Sequence, residues 1–190
     1  MGVDTYSDFG KLAANEAVNK DYRILIRDVG SDITIVAPHG GCIEPNTSII
    51  AAKIAGNNYN CYCFEGIKPK KNLDLHITSH RFDEPRAITL ISRSNIIITI
   101  HACTEKKQVI YMGGLFKELI DHIQENLKTS GISVSKQKGI FPGIHRDNIC
   151  NKGKLKKGVQ LEISRGLRDE PDKIELISKA VRDALETFTH

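Results

Sequence analysis

The chain has 190 residues, 40% of them hydrophobic and 26% charged, with no tryptophan and a formal net charge of +4 at pH 7. That length supports one domain, 1–190, with a substantial core. No apolar run approaches the ~20 residues of a membrane-spanning helix, no basic segment followed by an apolar core marks a signal peptide, and the mild positive charge suits an anionic partner without requiring one.

Residues 7–19 predict a short helix with Phe9, Leu12, Ala13 and Ala17 on one stripe. Tyr22–Arg27 and 33–36 predict strands joined by a turn containing Gly30. Asn46 or Thr47 then caps a helix that Gly56 stops. Residues 60–64 read as a strand and 66–71 as a basic loop. Leu73, Leu75 and Ile77 alternate with Asp74, His76 and Thr78, which predicts a strand over 73–78. Residues 83–92 predict a helix with Pro85 in its first turn. The run 95–100 is almost continuously apolar and β-branched, the pattern of a central strand buried on both faces. Strands at 108–111 and 132–136 flank an amphipathic helix over 115–127. A long loop at 139–158 holds Phe141 and a run of lysines at 152, 154, 156 and 157; its length hints at a functional role. A strand at 159–163 and a closing helix at Pro171–Phe188 complete the chain. Strands alternating with helices predict an α/β sandwich on a largely parallel or mixed sheet.

The most informative stretch is Ala37-Pro38-His39-Gly40-Gly41-Cys42-Ile43-Glu44-Pro45. It follows a strand directly, and in open α/β sheets the C-terminal rim of the strands is where ligands bind. His101, at the end of the central strand, and Glu162, in a late strand, fall on the same rim. Two histidines and a glutamate form the ligand set of catalytic zinc sites in hydrolases. The predicted site is therefore one Zn²⁺ held by His39, Glu44 and His101, with the fourth position left to water and Glu162 as a separate general base. Such a site hydrolyses amides. Taken singly, His101 reads as a structural histidine and Glu44 as an acid favouring a helix dipole; their coincidence on one rim favours the metal.

A rival ligand set, His76, His80, Asp83 and His101, requires the 73–78 strand to continue to residue 80. Otherwise His76 reads as a substrate contact. Arg81, Arg86, Arg165 and Arg168 are expected near the rim, where guanidinium groups bind carboxylates bidentately. The five cysteines, Cys42, Cys61, Cys63, Cys103 and Cys150, form no Cys-x-x-Cys pair and read as free thiols. The basic stretch lacks interleaved aromatics, so no nucleic-acid module is expected. A monomer without a membrane partner is the expected state.

Several separate motifs occur in order between residues 22 and 168: Pro38-His39-Gly40-Gly41-x-Ile43-Glu44-Pro45, Tyr62-x-Phe64-Glu65-Gly66, Leu75-His76-Ile77-Thr78-Ser79, Phe82-Asp83-Glu84-Pro85, Ile100-His101 and Gly158-Val159-Gln160-Leu161-Glu162-Ile163-Ser164. Together they resemble the phage-type poly-γ-glutamate hydrolases of bacilli and their phages. The resemblance implies a zinc-dependent peptidase with a three-layer α/β/α fold like that of the zinc carboxypeptidases. It implies poly-γ-glutamate, a polymer joined through side-chain carboxyls, as the substrate; endo cleavage is the expected mode, although the sequence leaves endo and exo action open. On matching positions the metal ligands are His39, Glu44 and His101, and the base is Glu162. Each unit of that polymer exposes an α-carboxylate, so Arg81, Arg168 and His76 are the expected substrate contacts. Two positions depart from the pattern: Ala102 follows His101 where glycine is expected, and His80 replaces a smaller polar residue. Two other functions use the same residues, a zinc amidohydrolase acting on a small N-acylated acidic amino acid and a non-catalytic polyanion-binding protein. The expected location is the cytoplasm, with lysis or a non-classical route giving access to an extracellular polymer.

Overall fold

The computed structural model describes residues 4–135 and 142–188. Among them, seven strands form one sheet in the order β1-β3-β2-β4-β7-β5-β6. These are β1 Tyr22–Arg27, β2 Ile33–Gly41, β3 Asn60–Gly66, β4 Ile96–Cys103, β5 Ile110–Gly114, β6 Val134–Ser135 and β7 Val159–Ser164. β3, β2, β4 and β7 run parallel, while β1 and β5 lie antiparallel beside β3 and β7. The sheet is thus mixed and largely parallel. The helices are α1 Phe9–Asn15, α2 Thr47–Ala55, α3 Pro85–Ser92, α4 Lys117–Thr129, the short α5 Arg165–Arg168 and α6 Pro171–Phe188.

Alternation along the strands builds two cores. Ile35 of β2, Ile98 and Ile100 of β4, and Leu161 of β7 pack against Ile50 and Ile54 of α2, Ile123 of α4 and Val181 of α6. Val36, Ile97 and Phe64 point the other way, into a second core with Leu12 of α1 and Leu90 and Ile91 of α3. Helices on both faces of the sheet give the three-layer α/β/α arrangement. β4 is buried on both sides, as its apolar run predicts. Each isoleucine fully buried there contributes about 1.5–3 kcal/mol.

Local chemistry sets the helix starts. The Asp8 carboxylate accepts from the Lys11 N–H at 2.8 Å at the head of α1. Glu84 does the same for the Ala87 N–H at 2.8 Å in α3, with Pro85 at its first position.

The predicted strand over 73–78 is not a strand. Asn72–Leu75 is a 3₁₀ turn and 76–78 is irregular. Leu73 is 70% exposed, so the alternation fails there, but Leu75 and Ile77 are fully buried. They dip into the second core from above the sheet, and β3 is already paired on both sides, by β1 and β2. The Asn72 side chain closes the preceding loop onto Lys68, accepting from its N–H at 2.9 Å and donating to its carbonyl at 2.7 Å.

β2 runs on through Pro38 and His39 to Gly41, well past the expected end. Of the strand expected over 132–136, Val134–Ser135 is observed, and residue 136 lies outside the described residues, as does Phe141. Within the lysine run, Lys154 sits away from the C-terminal rim: it donates its N–H to the Ser94 carbonyl at 2.8 Å, just ahead of β4, and its Nζ lies 3.5 Å from Asp32, just ahead of β2. No described helix is long and apolar enough to cross a membrane.

Candidate metal centre

On the second face of the sheet, β4 and β7 turn polar toward their C-terminal ends. Thr99 and His101 follow Ile97, and Gln160 and Glu162 occupy the matching positions of β7, all of them buried. Thr99 pairs with Gln160, and His101 with Glu162. In parallel strands such partners share a face and stand about 4.8 Å apart. β2 reaches the same rim through a bulge: its pairing with β3 shifts between Ala37 and Gly40, which frees Pro38 and His39 from the ladder. A bulge re-aims side chains in this way. The chain then doubles back, with the Glu44 N–H donating to the His39 carbonyl at 2.8 Å, so the Glu44 carboxylate returns over the His39 ring.

Three donor groups converge. His39 Nδ1 lies 3.2 Å from Glu44 Oε1 and 3.2 Å from His101 Nδ1. His39 Nε2 donates to the Ile77 carbonyl at 2.8 Å. A carbonyl only accepts, so neutral His39 presents a bare lone pair at Nδ1. Glu44 Oε2 accepts from the Ala102 N–H at 2.9 Å, and Ser79 Oγ lies 3.4 Å from His101 Nε2. One ligand atom from each of His39, Glu44 and His101 lies within 4.8 Å of the others. Lone pairs facing one point repel unless a proton or a cation lies between them. Two imidazoles and a carboxylate, with further positions open, are a donor set suited to Zn²⁺. The residues present fit such an ion.

The electrostatics agree. Burial drives the His101 pKa down to about 3, so this ring is neutral. Burial also opposes charge on His39, but the Glu44 carboxylate and the Ile77 carbonyl outweigh it and raise its pKa. Glu44 is held below its ordinary range: burial pushes upward, and the two imidazoles and the Ala102 N–H pull down harder. Glu162 goes the other way, pushed well above the usual carboxylate range by burial and then by the Glu44 charge. A divalent cation among the three donors would take the place of the His39 proton and draw Glu162 back toward its ionised form.

The other predicted site residues are dispersed to different degrees. The His76 ring stacks on His39 with centroids 4.0 Å apart. Arg81 Nη2 is 4.0 Å from Asp4 Oδ2, and its side chain is 45% exposed. Arg168 is buried, with Nη1 donating to the Pro45 carbonyl at 3.1 Å, one residue past Glu44. Arg86 pairs with Glu84 and Arg165 with Asp169. The rival set does not assemble: His80 lies against His145, with ring centroids 4.9 Å apart, and Asp83 accepts from the Phe9 N–H at 2.7 Å. Without a strand over 73–80, His76 and His80 share no face.

Sequence reasoning missed Asp4, Ser79 and the relay behind Glu162. Gln160 Nε2 donates to Glu162 Oε1 at 3.3 Å, and Gln160 Oε1 accepts from Asn148 Nδ2 at 3.0 Å. The period of two along β7 was the available signal for Gln160. Nothing local marks Asp4, and Ser79 stands in the 75–79 motif without a role of its own.

The chain matches the poly-gamma-glutamate hydrolase family over residues 6–189. The SPbeta prophage-derived UPF0714 protein YoqZ of Bacillus subtilis (strain 168) is 37% identical over 172 residues, which are 90% of this chain and 62% of that protein. The chain therefore spans less than two thirds of that relative. A bacteriophage poly-gamma-glutamate hydrolase structure superposes with a TM-score of 0.95 at 27% identity, covering 98% of this chain and 99% of that one. The zinc-free apo structure of YndL, also a Bacillus subtilis protein, gives 0.92 at 29% identity, covering 99% of this chain and 100% of that one.

Proposed function

The chain belongs to the poly-gamma-glutamate hydrolase family, and from that premise we propose that it hydrolyses γ-glutamyl amide bonds within poly-γ-glutamate as a metallopeptidase using one Zn²⁺. His39, Glu44 and His101 hold the ion, and Glu162 is the general base. The observation that carries this reading is the convergence of three lone-pair donors on the sheet face that also bears Glu162. The zinc-free description of the YndL structure supports the choice of metal.

A bound Zn²⁺ supplies Lewis acidity and lowers the pKa of a water from ~15.7 to ~7. The protein's own groups do the rest. The Glu162 carboxylate accepts the proton of the attacking water and passes it to the departing amine nitrogen. Gln160 holds Glu162 Oε1 through its Nε2–H, which keeps the carboxyl from swinging away between the two transfers. The Ala102 N–H fixes one oxygen of Glu44, leaving the other for the ion. Burial of His101 keeps its ring a neutral ligand. Arg81, Arg168 and His76 contact the α-carboxylates that each unit of the polymer exposes, and the basic side chains steer the polyanion toward the rim.

Polymer sizing tests the proposal. Zinc-loaded protein is expected to shorten poly-γ-glutamate rapidly, with mid-length products before monomer, and Glu162→Gln is expected to leave its length unchanged. An intact polymer with both proteins, zinc being bound at one equivalent, would refute the substrate and redirect the search to small N-acylated acidic amino acids.

A further inference from the structure

Residues 76–79 lie outside every strand and helix, yet they support both candidate imidazole ligands. The Ile77 carbonyl accepts the Nε2–H of His39 at 2.8 Å. Ser79 Oγ lies 3.4 Å from His101 Nε2. The His76 ring lies over His39 at 4.0 Å, tilted by 34°. A sheet ladder would fix such a segment, and none is present.

The clamp comes from far away in sequence. Asp4 Oδ1 accepts from His76 Nδ1 at 2.8 Å, and Asp4 Oδ2 accepts from the Thr78 backbone N–H at 2.8 Å. The two bonds bracket Ile77. The Asp4 side chain is 2% exposed, so the carboxylate is seated among these partners and shielded from water. Arg81 Nη2 lies 4.0 Å from Asp4 Oδ2.

We propose that Asp4 is a positioning residue of the metal centre. By gripping His76 and Thr78 it fixes the Ile77 carbonyl, and that carbonyl fixes the tautomer and ring plane of His39, leaving the Nδ1 lone pair aimed at the ion. Outer partners of ligating histidines act in this way, and losing one typically costs about 10- to 100-fold in metal affinity. The inference rests on the metal reading above, and its test separates the two.

The test is Zn²⁺ affinity, measured by competition with a chromogenic chelator on the wild-type chain, Asp4→Ala and Asp4→Asn. Thermal unfolding of the metal-free forms corrects for any loss of folded protein, and visible spectra of the Co²⁺-substituted forms report ligand geometry. Asp4→Ala is expected to bind Zn²⁺ about 10- to 100-fold more weakly and to show altered Co²⁺ bands. Asp4→Asn keeps an acceptor for the Thr78 N–H but loses the charge facing His76, so a smaller loss is expected. Wild-type protein that binds no Zn²⁺ overturns both readings. Wild-type binding with wild-type affinity and Co²⁺ bands in Asp4→Asn, and with Asp4→Ala weakened only as far as it is unfolded, reduces Asp4 to a fold contact and overturns this inference alone.

Discussion

His101 and Glu162 are register partners across the parallel strands β4 and β7, and both turn to the same buried face. One lies among the three converging donors and the other does not. That relationship separates a ligand from a base by experiment. Glu162→Gln is expected to keep one equivalent of bound zinc and to lose about 10²- to 10⁴-fold in kcat, the usual worth of a positioned general base. His101→Ala is expected to lose both zinc and activity. Metal analysis after gel filtration, beside initial rates, reads both outcomes. Loss of zinc from Glu162→Gln would move that residue into the ligand set.

The elements that could be read from sequence are those whose pattern and environment agree. The 95–100 run is β-branched and apolar on both faces, and β4 sits centrally, buried on both sides. α6 matches Pro171–Phe188 because a proline opens it and its apolar positions keep helical spacing. The placement of His39, Glu44, His101 and Glu162 on one rim was legible because each lies in or just beyond a parallel strand. The alternation over 73–78 misled because Leu73 is exposed, and Leu75 and Ile77 report only burial on one side. A segment draped over a core produces it as readily as a strand does, and whether a sheet edge is vacant is a tertiary fact. The extension of β2 was hidden by Pro38, which argues against a strand unless a bulge releases it from the ladder. Asp4 was invisible for a simpler reason. Its partners His76 and Thr78 are more than seventy positions away, and a lone aspartate carries no periodicity.

Gly41 and Gly30 offer a controlled comparison. Both have positive φ, +63° and +74°, but a Cβ on Gly41 would stand 2.4 Å from the Gly66 carbonyl oxygen, while nothing lies within 4 Å of one on Gly30. Gly30→Ala is expected to cost about 1 kcal/mol, the strain of a left-handed backbone. Gly41→Ala adds a collision with backbone that has no rotamer to escape into, for roughly 2–4 kcal/mol. It also displaces the turn that returns Glu44 to His39. Urea unfolding and zinc titration of the two variants are expected to diverge, with zinc affinity impaired only in Gly41→Ala. Equal costs would mean that the Gly66 strand end yields freely.

Arg81 and Arg168 are expected to respond differently to removal. The Arg81 side chain is 45% exposed and that of Arg168 9% exposed. Arg81→Gln is expected to raise KM for the polymer with little change in kcat, because an exposed cation steers substrate through a screened field. Added salt is expected to raise the wild-type KM more than it lowers kcat, and to do so less in Arg81→Gln. Arg168→Gln also removes the buried donor to the Pro45 carbonyl, so its rise in KM is joined by a cost to stability of about 1–3 kcal/mol. Steady-state rates across a salt series, together with unfolding midpoints, distinguish the two. A KM indifferent to salt in all three proteins would count against steering.

Cys150 is not among the proposed ligands and gives a pH prediction. The residue is fully buried in the second core, and burial pushes its thiol up to about 12. An unfolded thiol ionises near ~8.5. Below that value both states hold the proton, and the thiol's contribution to stability is fully present. As pH rises from ~8.5 toward the folded value, the unfolded chain releases its proton and the native one does not. Stability then falls by roughly 1 kcal/mol per pH unit from this group alone. Cys150→Ala removes that slope and leaves the other titrating groups in place. Denaturant unfolding of both proteins with a chelator present, from about pH 7.5 to 10.5, is therefore expected to give curves that converge as pH rises, with the variant losing less. Parallel curves would mean that the native thiol already meets water, contrary to its packing against the Gly143 carbonyl at 3.8 Å.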